Sequence, residues 1–196
     1  MWDEIYSTEE YVYGKQANDF LIKNYTSIPK GQILMLAEGE GRNAVFLARQ
    51  GYLVTAVDSS SAGLEKAKHL AKENSVTIEF ICEDLATFDL GDKKWDGIVS
   101  ISCHLPSELR QNLYKRIERA LKSTGVFLFE GYRPAQLEYK TGGPPIAEMM
   151  TSKETLITEL SNITFSHLKE VDREIIEGIK HHGLSAVTQA IGTPNK

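Results

Sequence analysis

Two glycines stand where an apolar run of the sequence meets a helical pattern, within residues 33–51. Gly39, Gly41 and Ala44 fit Gly-x-Gly-x-x-Ala, the spacing of a turn that joins a strand to a helix and holds a nucleotide at the helix N-terminus. Because glycine has no side chain, the backbone can turn sharply there and approach a ligand closely. A tight strand-to-helix connection without a ligand has the same composition, so the turn needs support from other residues.

Acidic residues end the next two apolar runs. Asp58 lies at the distance from the glycine turn at which a carboxylate accepts hydrogen bonds from ribose hydroxyls, although it could instead cap the next helix. Asp84 could accept a hydrogen bond from the exocyclic amine of adenine, with Leu85 packed on the ring. The alternative for Asp84 is a surface cap. The turn and the two acids follow successive predicted strands, which favours one nucleotide crevice.

The residues after the fourth and fifth apolar runs are candidates for binding a second substrate. His104 follows Ser102 and Cys103, and it is the one obvious group there that titrates near neutral pH. It is a candidate base, or a loop histidine bonded to backbone. Arg133 could hold an anion by a charge-assisted pair, or be an ordinary surface arginine. The segment YKTGGPPIAEMM has the composition of a shaped loop above a site.

The elements that would position these residues alternate between strand and helix, which predicts a parallel sheet. The helix predicted for 107–123 carries Leu109, Leu113, Ile117 and Leu121 on one buried face, with Gly125 as its stop signal. Two later runs, 171–176 and 184–191, are too close for a crossover helix and predict an antiparallel hairpin. The five predicted parallel strands span residues 31–37, 52–58, 76–84, 95–102 and 125–132.

Near the N-terminus, Ser7 and Glu10 form a capping-box pattern. The pattern predicts a helix that carries Tyr11 and Tyr13 and ends at Gly14. Adjacent residues in a hairpin turn alternate sides, and a third ligand is not evident, so we do not predict a metal site at His181 and His182.

Composition narrows the classes of function. The 196 residues are 41% hydrophobic and 25% charged, as in one ordinary globular domain. The net charge of −5 argues against a nucleic-acid partner and favours a small molecule. The sequence shows neither a leader pattern nor a membrane-spanning run, so we expect no membrane partner and a cytoplasmic protein. Cys82 and Cys103 lie in apolar runs and are expected to be buried free thiols.

Taken together, the sheet plan and the glycine turn resemble the class I S-adenosylmethionine-dependent methyltransferases. More narrowly, the chain resembles the small bacterial methyltransferases grouped with the tellurite-resistance and thiopurine methyltransferases. The segments that carry this resemblance are WDEIYSTEEYVYG, LAEGEGRNAVFLA, TAVDSS, ICEDL, SCHLP and EGIKHHGLSAVTQAIG. Met35 and Ala37 depart from the family, which usually has an acid and a glycine there, and Glu38 could supply the missing charge to the cofactor's amino group.

The resemblance implies an α/β, Rossmann-like, doubly wound and mostly parallel seven-stranded sheet that ends in an antiparallel hairpin. It implies one domain over residues 1–196, with an N-terminal helical cap over about 1–28. The cofactor would be S-adenosyl-L-methionine, with S-adenosyl-L-homocysteine as product. The cofactor-binding residues implied in this way are Gly39, Gly41, Arg42, Asn43, Asp58, Ser59, Asp84, Leu85, Ser102, Tyr13 and Trp2.

Methyl transfer to a small acceptor is therefore the function that we expect, and the resemblance suggests a soft thiol or chalcogen nucleophile. His104 and Arg133 are the candidate residues on the acceptor side, and we expect a monomer or a weak homodimer. Trp2, Tyr6 and Tyr13 could enclose the positive sulfur of the donor, or simply pin the N-terminus to the core. Two alternatives stay open: a module that binds the cofactor without turnover, and an NAD-dependent oxidoreductase.

Overall fold

The computed structural model describes residues 2–195. Seven strands form one sheet in the order β3-β2-β1-β4-β5-β7-β6, in which β1 to β5 are parallel and β7 runs antiparallel to both neighbours. This confirms the predicted fold class. The strands are β1 (Gln32–Leu36), β2 (Leu53–Asp58), β3 (Glu79–Cys82), β4 (Trp95–Ile101), β5 (Leu121–Tyr132), β6 (Ile163–Glu177) and β7 (His181–Pro194).

Seven α-helices and two short 3-10 turns complete the described part of the chain. The helices are α1 (Trp2–Tyr6), α2 (Asp19–Asn24), α3 (Arg42–Arg49), α4 (Ser61–Glu73), α5 (Ser107–Ala120), α6 (Gln136–Tyr139) and α7 (Lys153–Glu159). The 3-10 turns are Tyr25–Ser27 and Ala147–Met149. None of the helices within residues 2–195 has the length and apolar content needed to cross a bilayer.

The core lies on both faces of the sheet, because successive side chains of a strand point to opposite sides. In β1, Leu34 and Leu36 belong to the apolar cluster that includes Leu113 and Ile117 of α5. Ile33 and Met35 belong to the cluster on the other face, which includes residues of α2, α3 and α4. Met35 is fully buried there, and its environment is apolar where the related family usually carries an acid.

The strand order places the candidate site. Going outward from β1, the chain runs through β2 and β3 on one side and through β4 and β5 on the other. The order therefore reverses between β1 and β4, and open α/β sheets bind ligands at the carboxyl ends of the strands at such a reversal. The glycine turn follows β1 and enters α3 at this point.

The predicted elements differ from the observed ones mainly at their ends. The helix α5 stops at Ala120 rather than at the predicted Ser123, because Leu121 already pairs with Trp95 in the sheet. A register shift between Trp95 and Gly97 then brings Val126 opposite Gly97. The hairpin strands β6 and β7 are much longer than predicted, whereas β3 is shorter.

The predicted helix over residues 7–14 is wrong. The helix lies before it, over Trp2–Tyr6, and the Ser7 hydroxyl donates to the Glu4 carbonyl oxygen at 2.7 Å instead of capping a following turn. Further along, the backbone N–H groups of Val12 and Tyr13 donate to the carboxylate of Glu40. These tertiary hydrogen bonds replace the helical ones that the local pattern favours.

The expectation that both cysteines are buried is correct for Cys103 and wrong for Cys82. Cys82 ends β3, which is the edge strand of the sheet. An edge strand has a neighbour on one side only, so its side chains receive less cover than those of a central strand.

Candidate active site

A cavity of about 600 Å³ opens at the carboxyl ends of β1, β2, β3 and β4. This volume is within the range of small-molecule sites, about 300–1,000 Å³. Four other elements complete its walls. They are the N-terminal segment (residues 2–18), the glycine turn (residues 37–41), the loop 142–149 and the turn between β6 and β7. The predicted site residues that line it are Trp2, Tyr13, Arg42, Asn43, Asp58, Ser59, Asp84, Leu85, Ser102 and His104.

Gly39 and Gly41 have positive φ angles of 60° and 88°, which glycine adopts without strain. A Cβ on Gly39 would lie 2.5 Å from the hydroxyl oxygen of Tyr6, and one on Gly41 would lie 2.6 Å from Cβ of Ala67. Neither glycine is among the residues that line the cavity. The space beside the missing side chains is filled by Tyr6 of α1 and Ala67 of α4, and binding of a ligand by the backbone of this turn stays a prediction.

The Glu38 carboxylate caps α3. Its Oε1 accepts hydrogen bonds from the backbone N–H groups of Asn43 and Ala44 at 2.9 and 2.8 Å, and the N-cap residue Gly41 has no side chain to do so. The side chain is buried on the cavity wall, and within residues 2–195 no ion pair neutralises it. Burial raises the pKa of Glu38 to about 7, although the two amides and the charge of Arg42 oppose the shift.

Asp58 ties the glycine turn to the loop after β2. Oδ2 accepts from the Gly39 N–H and Oδ1 from the Ser60 N–H, both at 2.8 Å. Burial raises the pKa of this carboxyl, and these same hydrogen bonds oppose the shift. Ser60 caps α4, because its hydroxyl accepts from the Gly63 N–H. The alternative role of helix cap therefore belongs to Ser60, while each Asp58 oxygen keeps a lone pair for a ligand.

The next strand end carries the exposed Asp84 and the buried Leu85, and both line the cavity. The Asp84 carboxylate accepts a hydrogen bond from the Ala86 N–H at 2.8 Å, which fixes the side chain at the start of the following turn. The apolar Leu85 and the acidic Asp84 are thus adjacent in the part of the cavity where the sequence predicts that the adenine of the cofactor binds.

Backbone strain also marks the cavity. Ala37 and Ser102 follow β1 and β4, and both have left-handed φ angles, 49° and 54°. Such conformations in residues other than glycine concentrate at functional sites. The left-handed conformation of Ala37 is one that glycine adopts readily, and the family that the sequence resembles usually has glycine at this position. The Ser102 N–H donates to the Glu130 carbonyl oxygen at 2.8 Å, which holds this strand end in place.

Arg42 and Asn43 bind other parts of the chain. Arg42 forms a buried ion pair with Glu177 of β6 at 2.6 Å and donates to the Gln16 carbonyl oxygen. Asn43 Oδ1 accepts from the Asn18 N–H at 2.9 Å. Although burial opposes it, the charge of Arg42 and its hydrogen bond to the carboxylate hold the pKa of Glu177 well below its usual range. Arg42 therefore joins both the hairpin and the N-terminal segment to the glycine turn, whereas Asn43 joins only the N-terminal segment to it.

The N-terminal segment covers the cavity and is anchored by Glu40. The Glu40 carboxylate accepts from the Val12 and Tyr13 N–H groups and pairs with Lys66 at 2.6 Å. Three aromatic rings follow one another along this wall: Trp2 stacks on Tyr6 at 5.8 Å, and Tyr6 meets Tyr13 edge-on at 6.2 Å. The sequence suggested this aromatic cluster, but it did not indicate Glu40 as its anchor.

The other end of the cavity is built from histidine and tyrosine rings. His104 stacks on Tyr132 at 5.3 Å, and Tyr132 packs edge-on against His181 at 5.2 Å. Burial lowers the pKa of His104 to about 3, against a backbone hydrogen bond with Met149, so the imidazole is neutral. Three polar atoms in this group are buried without a hydrogen-bond partner in the described structure: His104 Nε2, Tyr132 Oη and His181 Nδ1.

His181 was not a predicted site residue, yet it is buried and lines the cavity. Its neighbour His182 is exposed, as the alternation of side chains in a hairpin requires. That alternation was the signal that could have identified His181. Within residues 2–195, no three His, Cys, Asp or Glu side chains are grouped so that they could hold a metal ion.

Arg133 is not brought into the site. Its guanidinium pairs with Asp172 of β6 at 2.5 Å, and it is not among the residues that line the cavity. The prediction that it binds the acceptor is therefore corrected, because Asp172 of the hairpin already pairs with its guanidinium.

Replacing Gly41 with Ala should destabilise the fold. The new Cβ would lie 2.8 Å from Cα of Ala67 on α4, in addition to the cost of a left-handed backbone, about 1–2 kcal/mol. We expect a loss of at least about 3 kcal/mol in the free energy of unfolding, measured by urea denaturation. Gly51→Ala is the matched control, because Gly51 has φ 83° and open space around it. Equal losses in the two variants would contradict the close contact.

The buried Glu38 should make stability depend on pH. Its pKa in the folded protein, about 7, lies above the ordinary value of 4.5, so the folded state holds the proton more tightly and stability falls as pH rises from about 4.5 to 7. Between pH 5 and pH 8, the wild type should lose on the order of 2 kcal/mol relative to Glu38→Gln, whose amide oxygen still accepts the α3 amides. Parallel curves for the two proteins would show that Glu38 titrates normally.

Comparison with known proteins identifies related sequences. Residues 33–125, from β1 into the first part of β5, match the methyltransferase domain family. A putative methyltransferase of Geobacillus sp. is 33% identical over 124 residues, which cover 60% of this chain and 49% of that protein. The chain spans about half the length of the curated relatives that it matches.

Solved structures share the whole fold at low sequence identity. One comes from work on the conversion of a disulfide bond into a thioacetal group during echinomycin biosynthesis, with a TM-score of 0.77 and 16% identity over 99% of this chain and 90% of that one. TehB from Haemophilus influenzae has a TM-score of 0.73 and 16% identity over 100% of this chain and 66% of its own. Part of the chain therefore matches the methyltransferase domain family, and the whole chain has the fold of solved S-adenosylmethionine-dependent methyltransferases.

Proposed function

We propose that this protein transfers the methyl group of S-adenosylmethionine to a small-molecule acceptor with a soft nucleophilic atom, such as a thiol or a chalcogen. The observation that carries the proposal is one cavity that joins two unlike ends. The acidic ends of β2 and β3 lie on one side of β1, and the histidines and the loop 142–149 lie towards β4, β5 and β7. The aromatic N-terminal segment reaches both, since Tyr13 packs against His181 at 4.6 Å. Such a cavity suits two substrates that must meet.

The residues at the acidic end fit the cofactor. Glu38 is a buried carboxyl on the wall, and no ion pair involving it is found within residues 2–195, so a ligand ammonium group would supply the missing positive charge. Asp58 has lone pairs left for ribose hydroxyls, and Asp84 with Leu85 would hold adenine. Trp2 and Tyr13 present aromatic rings, which attract a positively charged sulfur.

When bound, the cofactor supplies an electrophilic methyl group on that sulfur. The contribution of the chain is to position the acceptor and to exclude water, since the N-terminal segment and the loop 142–149 enclose the cavity. Positioning requires that the two ends keep a fixed distance. The Arg42–Glu177 ion pair does this, because it joins the glycine turn to the hairpin that carries His181.

A soft acceptor is favoured because neither His104 nor Cys103, which follow β4 at the acceptor end, is an effective base. The pKa of His104 is lowered to about 3 and that of Cys103 is raised to about 12, both by burial. A general base works best when its pKa is near the operating pH. Glu38 has a pKa near 7, but its Oε1 is bound to the α3 amides at the other end of the cavity. An acceptor that is already ionised needs no base.

The two alternatives make different predictions. An NAD-dependent oxidoreductase would share the glycine turn and Asp58, but the matched domain and the curated relatives are methyltransferases. A module that only holds the cofactor would bind S-adenosylhomocysteine without turning over any acceptor. Turnover with a panel of acceptors therefore separates the binding module from the enzyme.

The direct test is transfer of a labelled methyl group. We expect label from S-adenosylmethionine to appear on thiols or on selenite and tellurite, and not on phenols, with a rate that rises through the pKa of the acceptor itself. His182→Ala, which changes an exposed side chain, should behave as wild type. A phenol or an amine as the preferred acceptor would refute the soft-nucleophile proposal and leave methyl transfer standing. Binding of S-adenosylhomocysteine with no turnover of any acceptor would favour the binding module.

Asp58→Ala should weaken cofactor binding by at least tenfold, because it removes a charged acceptor from two ribose hydrogen bonds worth roughly 1.5–3 kcal/mol each. Stability should also fall, since the Gly39 and Ser60 amides lose their partner. Ser60→Ala is the control: it removes the α4 cap and should cost stability while leaving affinity nearly unchanged. Calorimetric titration with S-adenosylhomocysteine measures both variants. Undiminished affinity in folded Asp58→Ala would remove Asp58 from the site.

A further inference from the structure

The ammonium group of Lys66, a residue of α4, is surrounded by oxygen atoms, most of them from the N-terminal segment. Its Nζ donates to the backbone carbonyl oxygens of Thr8 and Glu10 at 2.9 and 2.6 Å, and to that of Tyr6 at 3.4 Å. Nζ also pairs with Glu40 Oε1 at 2.6 Å. An ammonium group has three donors, and the three short contacts match them. The side chain of Lys66 is only 14% exposed, so these contacts are largely shielded from water.

The contacts of Lys66 replace regular secondary structure in the part of the segment that it binds. Residues 7–14 form neither helix nor strand. Within residues 2–195, no backbone N–H group donates to the carbonyl oxygens of Thr8 and Glu10. A stretch without helical or sheet hydrogen bonds opens at low cost unless other groups bind its polar atoms. Lys66 is the group that binds them here.

Lys66 and Glu40 together fix the stretch between two rings on the cavity wall, those of Tyr6 and Tyr13. Lys66 binds the carbonyl oxygen of Tyr6 at one end of this stretch. Its partner Glu40 accepts from the N–H groups of Val12 and Tyr13 at the other end. Lys66 itself is not among the described residues that line the cavity. It can therefore act on a ligand only through the segment that it holds.

The segment held in this way lies beside the strand end to which we assign the cofactor ribose. Asp58 accepts from the Ser60 N–H, and the Ser60 hydroxyl donates to Asp3 of α1 at 2.6 Å. The hydroxyl oxygen of Tyr6 lies against the glycine turn, since a Cβ on Gly39 would come within 2.5 Å of it. A cofactor on Asp58 would thus have this segment next to it.

We propose that Lys66 is a positioning residue for the methyl donor: it holds residues 6–13 closed over the cofactor, and its release from Glu40 and the carbonyl oxygens sets the rate of cofactor exchange. The proposal deepens the methyl-transfer function above and rests on it. Because these contacts do not involve the ligand, Lys66 stabilises the closed segment equally in the free and in the cofactor-bound protein. Loss of Lys66 should therefore speed entry and exit by a similar factor and leave the affinity nearly unchanged.

Hydrogen exchange of the protein without added cofactor tests the closed segment itself. Lys66→Met keeps an apolar side chain of similar length and removes the charge and the donors. The Val12 and Tyr13 amides should then exchange at least about tenfold faster than in wild type, as loss of one hydrogen bond to a charged group implies. The Leu21 amide, which donates to the N-cap side chain of α2, should exchange as in wild type.

Stopped-flow binding of S-adenosylhomocysteine, followed by tryptophan fluorescence, tests the exchange of the cofactor. We expect the association and dissociation rate constants of Lys66→Met both to rise about tenfold, with Kd within about threefold of wild type. A merely structural defect would lower the affinity without faster association. Lys68→Met is the matched control, because Lys68 lies on the same helix and pairs with Glu65 at the surface. It should match wild type.

A second variant allows for the possibility that Lys66→Met does not fold, since it leaves the Glu40 carboxylate buried without its cation. The double variant with Lys66→Met and Glu40→Gln carries no unpaired buried charge, and it should show the same rise in both rate constants. Thermal unfolding of each variant shows which of them are folded.

Three results would overturn the inference while S-adenosylhomocysteine still binds wild type: unchanged exchange of the Val12 and Tyr13 amides in the folded variants, an unchanged association rate constant, or an equal effect of Lys68→Met. If wild type does not bind S-adenosylhomocysteine, the proposed function has failed, and the role of Lys66 in cofactor exchange fails with it. The wild-type titration, done first, distinguishes these two cases.

Discussion

Backbone amides bound by buried carboxylates hold the glycine turn, and the rest of the site depends on this arrangement. Glu38 accepts hydrogen bonds from the backbone N–H groups at the start of α3, and Asp58 accepts one from the Gly39 N–H. Glu40 accepts hydrogen bonds from the N–H groups of Val12 and Tyr13. The burial of Glu38 and Asp58 carries a desolvation cost that their hydrogen bonds offset only in part, as the raised pKa values of these two carboxyls indicate. The turn is thus fixed before any ligand arrives, which is the preorganisation that a transfer site needs.

A second network, of buried hydrogen bonds and ion pairs, connects the glycine turn to the far side of the cavity. Glu177 pairs with Arg42 and accepts from the side chain of Asn18, and Asn18 also donates to Glu130 of β5. Arg173 of β6 forms a further ion pair with Glu130 at 2.6 Å. These bonds connect the N-terminal segment, the central sheet and the hairpin. Removing one partner would leave a buried charge unpaired, so the network favours one relative placement of the two ends of the cavity.

The parts of this architecture that sequence could predict depend on local pattern. The strand-helix alternation and the hairpin follow from apolar periodicity. The position of Asp58 and Asp84 on one cavity could be predicted because the carboxyl ends of parallel strands meet at one edge of a sheet. Local pattern could not show which hydrogen-bond or ion-pair partner a residue would have in the folded chain when the partner lies far away in the sequence. Glu40 and Val12 are 28 positions apart, and Arg42 and Glu177 are 135 apart. Such contacts overrode the capping-box pattern at Ser7 and paired Arg133 with Asp172.

The central claim is that one cavity holds the methyl donor at its acidic end and the acceptor beside His104. A crystal structure with S-adenosylhomocysteine bound tests it most directly. The account predicts the amino group of the ligand on Glu38, its ribose hydroxyls on Asp58, and its adenine between Asp84 and Leu85, with its sulfur facing the histidine end. A ligand bound outside this cavity, or one whose adenine lies against the loop 142–149, would contradict the account.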